Sequence, residues 1–106
     1  MDNNRLDLLF QFLKEEPNDP FNIYAVATEY KNTFPEKALK YYEELLEKHP
    51  EYLPTYYHAA EVYIELNIKE KIEITYKKGI ALAQQLNEPL PLRELQNAYN
   101  EYLFED

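Results

Sequence analysis

Cysteine, tryptophan and serine are absent from the 106 residues, and glycine occurs once. Without cysteine there is no disulfide, thiolate zinc site or cysteine nucleophile. Without serine there is no serine nucleophile. One glycine cannot build a glycine-rich phosphate loop, and it argues against a β-rich fold with many tight turns. No apolar run approaches the ~20 residues that cross a membrane. Basic residues are also few: 11 Lys and Arg stand against 20 Asp and Glu, a net charge of −9. That balance disfavours nucleic acid and anionic membranes, which recruit basic patches. The opening MDNNRLDLL carries acid early and has no small-residue cleavage site, so a cytoplasmic protein is expected.

What is present is apolar residues at helical spacing. They make up 45% of the chain, which is no disordered composition, and eleven tyrosines are among them. The length fits a single domain over 1–106. Leu6, Leu9, Phe10 and Leu13 share one face of a predicted helix over 3–16, which Asn3 or Asn4 can cap and Pro17 ends. Ile23, Val26, Ala27 and Tyr30 mark a second helix, with Asp19 as cap and Pro20 at its first position. A third, Pro35 to His49, has its stripe at Ala38, Leu39, Tyr42, Leu45 and Leu46, and Pro50 stops it. The fourth, Pro54 to Leu66, carries Tyr56, Ala59, Ala60 and Tyr63, and Asn67 is the expected left-handed residue at its end. Ile72, Tyr76, Gly79, Ile80 and Ala83 define a fifth over Lys69–Leu86. Glycine inside a helix costs ~1 kcal/mol relative to alanine, so Gly79 predicts a close approach of another backbone. Leu92, Leu95, Tyr99, Tyr102 and Leu103 define the sixth, Leu90 to Phe104.

These helices repeat. Tyr24, Ala27 and Tyr30 recur 33 residues on as Tyr57, Ala60 and Tyr63, and Tyr42 and Leu45 recur 34 residues on as Tyr76 and Gly79. The pattern resembles the tetratricopeptide repeat, W-x2-L-G-x2-Y, then A-x3-F, then P. Here it reads Ile23-x2-Val26-Ala27-x2-Tyr30, Ala38-x3-Tyr42 and Pro50, then Tyr56-x2-Ala59-Ala60-x2-Tyr63 and Ile72-x3-Tyr76. The second copy lacks the closing proline and has Ile72 at a position usually small. The resemblance implies an all-α solenoid of antiparallel hairpins. Its parts would be a half-repeat helix (3–16), repeat 1 (20–50), repeat 2 (53–86) and a capping helix (89–104). Gln96 at the small position of the last helix suits a cap with a polar outer face.

The resemblance further implies that the first helix of each pair lines a concave groove. The groove positions are then Tyr24, Thr28 and Lys31; Tyr57, His58, Glu61, Ile64 and Glu65; and Arg93, Asn97, Asn100 and Glu101. Tyr24 and Tyr57 are read in two ways: as large amphipathic contact residues, or as packing residues half-buried between helices. Some family members grip a peptide carboxylate with Lys, Arg and Asn. The matching positions here are Tyr24, Thr28, His58, Leu90 and Glu94, so no such clamp is expected. Glu29, Glu61, Glu65, Glu94 and Glu101 against Lys31 and Arg93 make the inner helices net acidic, whereas Lys69, Lys71, Lys77 and Lys78 make the fifth basic. A neutral or basic partner segment follows.

Catalysis is not expected. His49 and His58 lack the spacing of a zinc site, and the carboxylates lie on solvated helix faces. No cofactor or metal is expected. The function expected is a protein or peptide interaction module. The alternative is a structural, self-associating protein, a homodimer or a subunit of a larger assembly, joined through end residues such as Leu6, Phe10, Tyr99, Tyr102 and Phe104.

Overall fold

The computed structural model describes residues 4–105. Six α-helices follow one another: α1 (Asn4–Glu15), α2 (Pro20–Tyr30), α3 (Pro35–Lys48), α4 (Pro54–Glu65), α5 (Lys69–Gln85) and α6 (Pro89–Phe104). Among the described residues there is no strand. The predicted helices differ from these by one or two residues at their ends, and the candidate cap Asn3 lies outside the described residues. The helices gather into two compact units, the first running to Tyr52 and the second beginning at Leu53. That division falls between the expected repeat 1 and repeat 2.

In the first unit, α2 packs against both α1 and α3. Asp19 is the N-cap of α2, its Oδ1 accepting from the Phe21 amide at 3.0 Å, and Pro20 follows where no amide is needed. Asn22 ties α2 back to the end of α1, its Nδ2 donating to the carbonyls of Phe12 and Glu16, each at 3.2 Å. The core is built from Ile23, Val26 and Ala27 of α2 and Ala38, Tyr42 and Leu45 of α3, all buried. No residue of α1 is fully buried. Its inner face meets an aromatic group: the Phe10 ring lies 6.2 Å from Tyr30 and 6.4 Å from Tyr41, and Tyr30 stacks on Tyr41 at 6.3 Å.

In the second unit, α4, α5 and α6 each touch the other two. Asn67 ends α4 with φ 61°, the left-handed conformation expected of it. The Ile68 amide reaches the Tyr63 carbonyl and the Asn67 amide reaches Ile64, which together satisfy two orphan carbonyls of the last turn. The same device ends α5. There Asn87 has φ 57°, the Glu88 amide bonds to the Ala83 carbonyl, and the Asn87 amide bonds to Gln84. Gly79 of α5 faces α4: a Cβ on it would lie 2.6 Å from the Tyr56 Cβ and 3.3 Å from Leu95 Cδ1. The close approach expected at a helical glycine is present, but the atom that makes it is the first side-chain carbon of Tyr56 rather than backbone. Leu95 is the one residue of α6 that is fully buried.

Candidate functional site

The groove positions fall on α2 in the first unit and on α4 and α6 in the second. On α2, Tyr24 is half-buried and its ring is engaged by the edges of two others, Tyr42 at 6.4 Å and Tyr52 at 5.7 Å. Burial pushes the Tyr24 hydroxyl above its usual range, partly offset by a hydrogen bond with Thr28. The Thr28 hydroxyl also lies 2.9 Å from that of Tyr42, whose side chain is inside the core. Lys31 is half-buried at the C-cap of α2, its amide donating to the Thr28 carbonyl. Tyr24 and Thr28 are thus engaged within their own unit.

The second unit is arranged differently. Tyr57 is half-buried on α4, with His58 edge-on at 5.6 Å. Burial raises the Tyr57 hydroxyl first, and the carboxylates of Glu61, Glu94 and Glu101 raise it further. Glu61 comes from α4, the other two from α6. Behind Tyr57 the buried Tyr76 of α5 feels burial, then Glu61, Tyr57 and Glu101, and its hydroxyl is pushed up to about 12. Tyr76 in turn packs against Tyr99 of α6, ring centres 5.5 Å apart. Carboxylates of two helices thus act electrostatically on one tyrosine. Among the described residues no group of His, Asp or Glu gathers tightly enough to hold a metal ion. His58 Nδ1 stands 3.8 Å from Glu61 Oε1. Ile64, Arg93 and Asn97 are exposed.

The opposite sign appears on α5. Lys69, Lys77 and Lys78, with Glu70, Glu73, Ile74 and Ala81, line a shallow depression of ≈ 640 Å³. Lys77 and Glu73 pair at 2.7 Å, and the hydrogen bond from Lys77 holds the Glu73 carboxyl below its usual range. No helix among the described residues is long and apolar enough to cross a membrane.

No family model and no curated protein sequence matches the chain. Solved structures do. A crystal structure of a tetratricopeptide repeat domain protein from Salinibacter ruber superposes with a TM-score of 0.78 at 36% identity, covering 83% of this chain and 100% of that one. A solution NMR structure of a tetratricopeptide repeat domain protein from the same organism gives 0.71 at 39% identity, covering 78% of this chain and 85% of that one. The chain belongs to the tetratricopeptide repeat family. The all-α helical-repeat fold expected from the sequence is thereby established, and with it the general role of such a fold as a protein-interaction scaffold. Read as tetratricopeptide helices, α2 and α4 carry buried Ala27 and Ala60 at the small position, while α6 has Gln96 exposed there. Glu94 and Glu101 lie two turns apart on α6. The sequence reading counted both as sources of negative charge, and it weighed Glu94 as a clamp position. Their seven-residue spacing is the signal that places them on one face.

Proposed function

We propose that the chain is a non-catalytic interaction module whose second unit receives a neutral or basic segment of a partner protein on the face shared by α4 and α6. The observation that carries this is that α6 packs on α4, where the charges of Glu94 and Glu101 join that of Glu61 in raising the half-buried Tyr57 hydroxyl. An aromatic ring among carboxylates suits a lysine or arginine side chain, which gains from the charges and from the ring face together. Tyr57, Glu61, Glu94 and Glu101 are the central residues in this reading. His58, Ile64, Arg93 and Asn97 form its edge.

The test is an array of immobilised peptides graded from acidic to basic, probed with the protein at low and high salt. Basic peptides should be retained preferentially and released by salt, because exposed charge pairs are screened. A Glu94→Lys, Glu101→Lys variant should lose that preference with its helicity unchanged. Equal retention of acidic peptides, or a preference unaltered in the variant, counts against the reading.

A further inference from the structure

The outer face of α1 has a stripe that its own unit leaves uncovered. Arg5, Leu8, Phe12 and Glu15 are spaced by three, four and three residues, which sets them in one line along a helix. All four are exposed: Leu8 by 49%, Phe12 by 43% and the Arg5 side chain by 70%. The apolar residues that α1 turns inward are others, Leu6, Leu9, Phe10 and Leu13, each half-buried. The exposed stripe therefore is not the edge of the core.

From this stripe we infer that α1 is a homodimer interface, pairing antiparallel with the α1 of a second copy about a two-fold axis. The order of residues along the line is the reason. A cation stands at one end, an anion at the other, and two apolar side chains lie between. Antiparallel pairing sets Arg5 against Glu15 of the second copy and Leu8 against Phe12, twice over by symmetry. Parallel pairing sets Arg5 against Arg5 and Glu15 against Glu15, which is repulsive. The stripe is thus complementary to itself in one orientation only, as a contact between identical patches requires.

Two further facts fit a second copy. The chain carries a net charge of −9, so most of its surface repels its like. In α1, Arg5 and Lys14 balance Asp7 and Glu15, so this helix itself carries no net charge. Arg5 is already held, its Nε donating to Glu29 Oε1 at 2.8 Å. That bond orients the side chain and leaves the terminal guanidinium N–H groups for a second carboxylate. One pair of helices buries a small area, so the dimer is weak.

Sedimentation equilibrium over a loading series reaching about 1 mM reads the mass directly. It should rise from 12.8 kDa toward twice that value and stop there. A Leu8→Asp, Phe12→Asp variant should stay monomeric with an unchanged helical spectrum, since both side chains are exposed. Glu15→Arg should weaken dimerisation by at least about tenfold, because like charges then face each other. Arg5→Glu combined with Glu15→Arg should restore it, since the exchanged pair is again complementary. Thermal unfolding of each variant reports whether losing the Arg5–Glu29 bond disturbs the monomer. A constant monomer mass, growth beyond two copies, a dimer indifferent to Leu8 and Phe12, or a charge exchange that fails to rescue a folded variant would each overturn the inference.

Discussion

Gly79 of α5 lies so close to Tyr56 of α4 that a Cβ on the glycine would stand 2.6 Å from the Tyr56 Cβ and 3.2 Å from its Cγ. This contact sets how closely two helices of the second unit approach. Alanine at Gly79 gains ~1 kcal/mol of helix propensity, but it forces α4 and α5 apart, and overpacking of this kind costs about 1–3 kcal/mol or more. Urea unfolding of Gly79→Ala should therefore show a net loss of stability. The loss should persist in a Tyr56→Ala background, where the Cβ remains. Stabilisation by Gly79→Ala in that background would mean that the ring, not the Cβ, limits the approach.

The two left-handed asparagines end helices by the same geometry, Asn67 at φ 61° and Asn87 at φ 57°. A β-branched side chain is strained there, and glycine is not. Asn67→Val and Asn87→Val should each lower the unfolding free energy by about 1–2 kcal/mol. The matching glycine variants should stay within about 0.5 kcal/mol of wild type. Denaturant midpoints at an unchanged slope measure this. Valine variants as stable as the glycine ones would show that the helix ends relax to another conformation.

Stability should fall in alkali through Tyr76. Its hydroxyl titrates near 10 when the chain is unfolded and at about 12 when folded. Folding therefore favours the protonated form. That contribution is complete below pH 10, shrinks as the pH rises, and is gone above about 12. Two units correspond to a loss on the order of 2–3 kcal/mol. Denaturation at a series of pH values should show wild type losing more than Tyr76→Phe across this window. Identical profiles would assign the alkaline loss to other groups.

Much of the fold was legible because its punctuation is local. Pro20, Pro35, Pro54 and Pro89 each stand at the start of a helix, and Asn67 at an end. Each acts on its own backbone, whatever surrounds it. The recurrence of Tyr24, Ala27 and Tyr30 as Tyr57, Ala60 and Tyr63 likewise needs only the sequence, and it led to the tetratricopeptide family.

The candidate site was less legible. Tyr24 and Tyr57 hold matching places in the repeat, yet their surroundings differ. Tyr24 is met by Tyr42, Tyr52 and Thr28, whereas Tyr57 feels the charges of three carboxylates. Helical periodicity says which residues share a face. It does not say what approaches that face from a helix thirty residues away.

The sequence alone determined six helices, their ends and their repeat, because spacing, proline and asparagine act within a turn or two. Tertiary structure decided which aromatics are spent on packing. Tyr24, which the sequence leaves open between contact and packing, meets the rings of Tyr42 and Tyr52. It also decided that Gly79 answers the Tyr56 Cβ, and that Glu94 and Glu101 of α6 reach the field of Tyr57 on α4. These choices depend on distances between separate helices, which exist only once the chain has folded.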